Sequence, residues 1–164
     1  MIQLRNATLS DFDVVKIFFE DKELKYQWLY THSKFKNDDT STEVIDWGIE
    51  NPFDNYTLDD FSRDLEKEFI FMIENDDTLI GYISMFACDK KRYKINSWAL
   101  LPDVTNNQKE IIISLLHQLK LPHLKYFVIT AFLDEVTTFL MKNGFEQHFG
   151  GFYYLEVKKQ KRSN

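Results

Sequence analysis

The stretch that most constrains this chain is an apolar run that stops at a proline and restarts as a helix. Ser97-Trp98-Ala99-Leu100-Leu101 reads as the end of a buried strand. Pro102 closes it, because proline has no N–H to give a sheet ladder. Thr105-x-x-Gln108 has the capping-box pattern, and Asn107-x-x-Glu110 offers a second possible cap. Ile112, Leu115, Leu116 and Leu119 then recur at helical spacing, so an amphipathic helix is expected to open near Asn106 or Asn107. A strand running straight into a helix start makes an anion site. The first backbone N–H groups there have no intrahelical partner, and the helix dipole is positive.

The flanking segments alternate between the two periodicities. Ile2 to Ala7 reads as a short strand, and Ser10 with Asp11 and Asp13 opens a helix carrying Val14, Val15, Phe18 and Phe19. Leu24, Trp28 and Leu29 are expected to continue a helix. Thr31 to Thr42 reads as loop, Thr42 to Ile49 as a short helix, and Thr57 caps another helix to about Lys67. Phe69, Phe71 and Ile73 alternate with Ile70 and Met72, so both faces of that strand are apolar and it belongs inside a sheet. Asn75-Asp76-Asp77 is the turn into the returning strand, Thr78 to Phe86. Lys90-Lys91-Arg92 reads as an exposed turn before the strand Tyr93 to Leu101. Tyr126 to Ala131 is a further buried strand, Asp134 and Glu135 start a helix that Asn143-Gly144 ends, and Phe152 to Val157 closes the sheet. Residues 1–157 read as a single domain, followed by a basic tail over 158–164.

Composition excludes several classes. With 164 residues the chain can bury a sizeable core, and aromatics at 16% make that core ring-rich. A formal charge of −6 argues against general nucleic-acid binding, which needs cations to displace counterions. One cysteine, Cys88, leaves no internal disulfide and fits a reducing compartment. No apolar run is long enough to cross a membrane, and the first residues lack a signal-peptide layout, so a cytoplasmic protein is expected. The scattered histidines and lone cysteine give no metal-ligand spacing. No Walker loop, dinucleotide fingerprint or nucleophile elbow is present.

Three stretches resemble the GCN5-related N-acetyltransferase (GNAT) family. Leu4-Arg5-x-Ala7-Thr8-x-x-Asp11 is similar to that family's opening, the hairpin returning through Ile80-Gly81-Tyr82 is similar to its centre, and Lys142-Asn143-Gly144-Phe145 is similar to the end of its last helix. The strand–proline–helix joint matches in order and spacing. The resemblance implies an α/β (α+β) fold, with a mixed, mainly antiparallel central sheet flanked by helices. It implies that the strands ending at Leu101 and starting near Tyr126 diverge to leave a slot. It also implies transfer of an acetyl group from acetyl-CoA to an amine, small-molecule or peptide. The donor would lie along Trp98, Ala99 and Leu100, with its pyrophosphate on Asn106, Asn107, Gln108, Lys109, Glu110 and Ile111. Trp28, Tyr30 and Trp47 would line the acceptor side.

The chain departs from the family pattern at identifiable positions. Gln108 and Glu110 stand where the phosphate loop has glycines, and Thr105 stands where it has Gln or Arg. Leu140 stands where a tyrosine usually protonates the departing thiolate, and Leu133 where an asparagine often opens the last helix. Strand amides at Trp98 to Leu100 can hold the developing oxyanion without any particular side chain. Tyr153, Tyr154 and His148 are the candidates for proton transfer, each with packing or a surface role as its bland alternative. Cys88 reads as structural, and His117, on the amphipathic helix, and His123, in the next turn, are given no role. The acidic and aromatic stretch over residues 26–60 reads either as a mouth for a cationic amine or as solvated helix faces. A GNAT-shaped module without catalysis, binding a ligand or a protein, is the alternative function.

Overall fold

The computed structural model of the chain describes residues 1–19, 27–30, 56–101, 103–131 and 134–158. The elements in order are β1 (Ile2–Asn6), α1 (Phe12–Phe19), β2 (Gln27–Tyr30), α2 (Leu58–Lys67), β3 (Phe69–Asn75), β4 (Thr78–Ala87) and β5 (Arg92–Leu100). There follow α3 (Asn106–Leu116), β6 (Tyr126–Thr130), α4 (Asp134–Lys142), β7 (Glu146–Gln147) and β8 (Phe152–Glu156). One sheet runs β1-β3-β4-β5-β6-β8-β7, with β2 added on β5. Every pairing is antiparallel except β5 with β6. The mixed, mainly antiparallel sheet flanked by helices is therefore as expected.

Local chemistry explains the joints. Asp76 and Asp77 both adopt left-handed backbone, at φ 49° and 69°, as a two-residue hairpin turn demands. Asp11 accepts from the Thr8 N–H at 2.8 Å and grips both ends of the Arg5 guanidinium at 2.9 and 2.8 Å, while Arg5 also reaches Glu74 at 2.9 Å. The Arg5…Asp11 spacing thus ties β1 and β3 to the start of α1. At the end of α4, Gly144 sits at φ 95°; its N–H donates to Met141 O and the Phe145 N–H donates to Leu140 O. That is the paired closure for which a glycine is needed.

Two cores form on opposite faces of the sheet. Val15 of α1, Tyr56, Phe61 of α2, Ile70, Met72, Tyr82 and Ala99 make one. The other gathers Ile95, Trp98, Leu100, Ile112, Leu116, Phe127, Ile129, Leu140 and Phe145 beneath α3 and α4. Fully burying a side chain of this size is worth about 1.5–3 kcal/mol, so this second core dominates stability.

One sequence expectation is corrected. Trp28 and Leu29 lie in strand β2 rather than a continued helix, with Gln27 opposite Leu100, Trp28 opposite Ala99 and Tyr30 opposite Trp98. Long-range pairing wins there because Trp-Leu-Tyr suits a strand and the neighbouring edge is open. The loop over Thr31 to Thr42 and the helix over Thr42 to Ile49 lie outside the described residues.

Candidate active site

The sheet forks between β5 and β6. They pair through Arg92–Tyr126, Tyr93–Phe127 and Lys94–Val128, and no further. Beyond this, β6 continues against β8, while β5 continues against β4. The expected divergence of these strands is therefore present. Just past the last shared pair, β5 bulges. Ser97 opposes Ser84 and Ile95 opposes Met85, leaving Asn96 as the extra residue.

The bulge changes which side chains share a face. Strict alternation from Ile95 would put Ser97 beneath α3 and α4 and leave Trp98 on the α1–α2 face. Instead Ile95, Trp98 and Leu100 share the α3–α4 core, and Ala99 belongs to the α1–α2 core. Asn96 and Ser97 consequently both reach polar partners on the α1–α2 face. Asn96 Nδ2 donates to Glu68 Oε1 at 2.6 Å, and the Tyr82 hydroxyl donates to Ser97 Oγ at 2.9 Å. Ser97 Oγ and Ser84 Oγ lie 2.6 Å apart. One turn before Glu68, Asp64 Oδ2 accepts from the Tyr56 hydroxyl at 2.6 Å.

Glu68 is half-buried, and among the described residues it faces no cation. Burial, then the charge of Asp64, pushes its carboxyl up to about 7, against the pull of the Asn96 hydrogen bond. Burial also raises the Tyr82 and Tyr56 phenols, which both stay neutral. No sequence motif pointed to Glu68 or Asn96. The one available signal was spacing: Ile95, Trp98 and Leu100 recur at three and then two, which a regular strand cannot accommodate on one face.

The forked strand leads to α3, where Thr105 and Gln108 form the capping box. Gln108 N donates to Thr105 Oγ1 at 3.2 Å and Thr105 N donates to Gln108 Oε1 at 2.9 Å. The Asn107–Glu110 cap does not form. The Glu110 carboxylate instead lies 3.9 Å from Lys142 Nζ. Among the described residues, the Asn106 and Asn107 amides are left unpaired, as the first turn of a helix dictates. Lys109 is lowered by burial, with the Glu135 charge opposing. Ile111 points partly to solvent, and Leu140 is fully buried. The buried Trp98 indole N–H has no hydrogen-bond partner among the described residues.

Backbone direction along β5 follows from one bond. Leu101 N donates to Ile80 O at 2.9 Å, toward β4, so alternation turns the Ala99 amide the same way and the Trp98 and Leu100 amides to the opposite edge. That opposite edge is the one facing the fork, and β2 runs along it at Trp98 to Leu100.

The other candidates lie elsewhere. His148 stacks on Tyr154 with ring centres 4.0 Å apart, and Arg92 Nη1 donates to the Tyr154 hydroxyl at 2.8 Å. This group sits at the closed end of the fork, beside the Arg92–Tyr126 pair. Tyr153 is buried in the α3–α4 core. Cys88 is exposed, its thiol raised by burial and by Asp89. His117 Nδ1 accepts from the Lys158 N–H at 3.1 Å, a packing role. Trp28 and Tyr30 are set in β2 opposite Ala99 and Trp98. Trp47 lies outside the described residues.

No protein-family model and no curated protein sequence matches the chain. Its shape, by contrast, matches many solved structures. An N-acetyltransferase of Thermoplasma acidophilum in complex with coenzyme A superposes with a TM-score of 0.61 at 17% identity, covering 97% of this chain and 99% of that one. A Staphylococcus aureus Mu50 N-acetyltransferase gives 0.59 at 12% identity, covering 96% and 98%. The Vibrio cholerae spermidine N-acetyltransferase in complex with coenzyme A and spermine gives 0.58 at 10% identity, covering 95% of each chain. Over nearly its whole length, this chain has the GNAT fold.

Proposed function

We propose that the chain is an N-acyltransferase that moves an acetyl group from acetyl-CoA to an amine. The observation that carries this reading is the fork between β5 and β6, with a polar bulge at its root and α3 opening at the end of the forked strand. A coenzyme A donor fits the helix end in part. The Asn106 and Asn107 amides are free to take phosphate oxygens, whereas Gln108 is turned into the cap and Glu110 brings a like charge. Lys109 offsets some of that charge. The Trp98 and Leu100 amides point to the edge a thioester would use. β2 shares that edge, so donor and β2 compete for it.

The reaction makes a C–N bond and breaks a C–S bond. The neutral amine nitrogen gives its lone pair to the thioester carbon, and the C–S electron pair leaves on sulfur. Of the three ammonium protons, one stays on the amide, one goes to the thiolate and one goes to a base. Buried Leu140 supplies no proton to the thiolate. The acceptor is read as cationic. Glu68 and Asp64 put negative charge on the α1–α2 face, and the Vibrio cholerae neighbour was solved with spermine. Trp28, Tyr30 and Trp47 are assigned to the acceptor side of this site. Residues 1–157 are read as one domain working in the cytoplasm, in keeping with its one cysteine.

Calorimetric titration with acetyl-CoA, joined to thiol release over a panel of amines and of carboxylate-bearing acceptors, tests the reading. Thiol release with cationic amines is expected. A clear preference for anionic acceptors would refute the acceptor class. Binding without release toward any acceptor would favour the second reading, a non-catalytic GNAT-shaped module, which Leu140 and the position of β2 support.

A further inference from the structure

We propose that Glu68 is the base that removes the proton from the acceptor ammonium, held in place at the root of the fork by the bulged residue Asn96. The role rests on the acyltransferase reading. Three observations support it. The β4–β5 bulge lies just past the point where β5 leaves β6, and its extra residue spends its side-chain amide on Glu68 at 2.6 Å. That hydrogen bond fixes one carboxylate oxygen and leaves the other open. Glu68 is half-buried, so its carboxylate is reachable, and no Lys, Arg or His among the described residues neutralises it. Among the described residues, the titratable and charged groups that face it are Asp64 from α2, Tyr82 from β4 and Tyr56, whose hydroxyl donates to Asp64. A half-buried carboxylate with a second one beside it and no neutralising cation among the described residues is costly to keep charged. An arriving ammonium relieves that cost, and the carboxylate then accepts its proton.

The proton balance is simple. R–NH3+ and Glu68 carboxylate become R–NH2 and Glu68 carboxylic acid, and the freed lone pair attacks the thioester. Glu68 afterwards returns its proton to solvent. A base is most effective when its pKa lies near the working pH, and the surroundings of Glu68 push its carboxyl up to about 7. Asn96 is a positioning residue: its N–H donation favours the charged carboxylate, so its loss leaves Glu68 harder to ionise.

The test compares full-length wild type, Glu68→Gln and Asn96→Ala in the thiol-release assay from pH 5.5 to 9.5, with acetyl-CoA affinity measured on each. Wild-type kcat/KM should rise through a limb near pH 7, separate from the higher limb set by the acceptor's own ammonium. Glu68→Gln should keep acetyl-CoA affinity within about twofold and a cooperative melt. Its kcat/KM should fall roughly 100- to 10,000-fold, the usual span for losing a general base, and the lower limb should vanish. Asn96→Ala should move that limb to higher pH, which a purely structural role would not do. A carboxyl NMR titration of folded wild type gives a readout without turnover. If Glu68 titrates there like an ordinary glutamate, near 4.5, the assignment is overturned. It is equally overturned if wild type transfers and Glu68→Gln keeps both rate and limb. Wild type that transfers to no amine overturns the acyltransferase reading, and the base with it.

Discussion

At the scale of single residues, the site is decided by what stands at four positions of β4, β5 and α3. Asn96 and Ser97 owe their shared face to one inserted residue, and the cost of that insertion is one disrupted ladder step. Gly81 allows β4 and β5 to meet beside it, since a Cβ there would come within 2.3 Å of Ala99 O. Glu110 gives a sharper prediction. Glu110 is the fifth residue of α3, and among the described residues its ion-pair partner is Lys142, at 3.9 Å. A like-charge contact in a partly screened site costs on the order of 1–4 kcal/mol, and Lys142 keeps it at the low end. Glu110→Gln should therefore tighten acetyl-CoA about tenfold, equivalent to about 1.4 kcal/mol, without the backbone penalty that glycine would bring to a helix. Unchanged affinity in a folded variant would mean that phosphate does not sit on Asn106 and Asn107.

At the scale of elements, local signals served well where they were strong. The Thr105 and Thr57 capping boxes, the Asp76-Asp77 turn and the Gly144 closure all form where residue chemistry demands them. β2 was misread because Leu24, Trp28 and Leu29 fall at helical spacing, and its pairing partner lies about seventy positions away. The bulge and Glu68 were missed for a related reason. A register shift is a property of two strands together, and no single-strand pattern states it. The position of β2 yields a test of its own. It pairs with β5 along the edge that carries the Trp98 and Leu100 amides. Gln27→Pro would weaken the strand, since Gln27 opposes Leu100, whose amide points to β2, and proline gives no ladder N–H. Losing one or two net hydrogen bonds at about 1 kcal/mol each should tighten acetyl-CoA by roughly 5- to 30-fold. An affinity that stays constant would show that β2 and the donor do not share the edge.

At the scale of the whole molecule, the same charged groups set how stability depends on pH. Opposing shifts act among the described residues of a chain whose formal charge is −6, those of Asp11 and Glu68 among them. The Arg5 guanidinium holds the Asp11 carboxyl below its ordinary 3.8, so its contribution is present above that value and is lost as pH falls through the depressed one. Glu68 acts in the other direction. Its carboxyl ionises near 4.5 in the unfolded chain and near 7 in the folded one. Between those values the folded state binds more protons, so stability is full below about 4.5 and declines until about 7. Self-repulsion of the net negative charge also lowers stability as pH rises, so wild type alone does not isolate Glu68. The difference between wild type and Glu68→Gln does, because charges elsewhere cancel in it. Calorimetric melts of both at steps from pH 3 to 9 should show Glu68→Gln gaining on wild type from pH 5 to 7, then running parallel. The gap above pH 8 should be on the order of 1–3 kcal/mol. Asp11→Asn should show the opposite limb, falling below wild type at neutral pH and rejoining it in acid. If the wild-type and Glu68→Gln curves stay parallel from pH 4 to 9, Glu68 carries no raised pKa in the folded protein. Its claim to be the base at the fork would fall with that result.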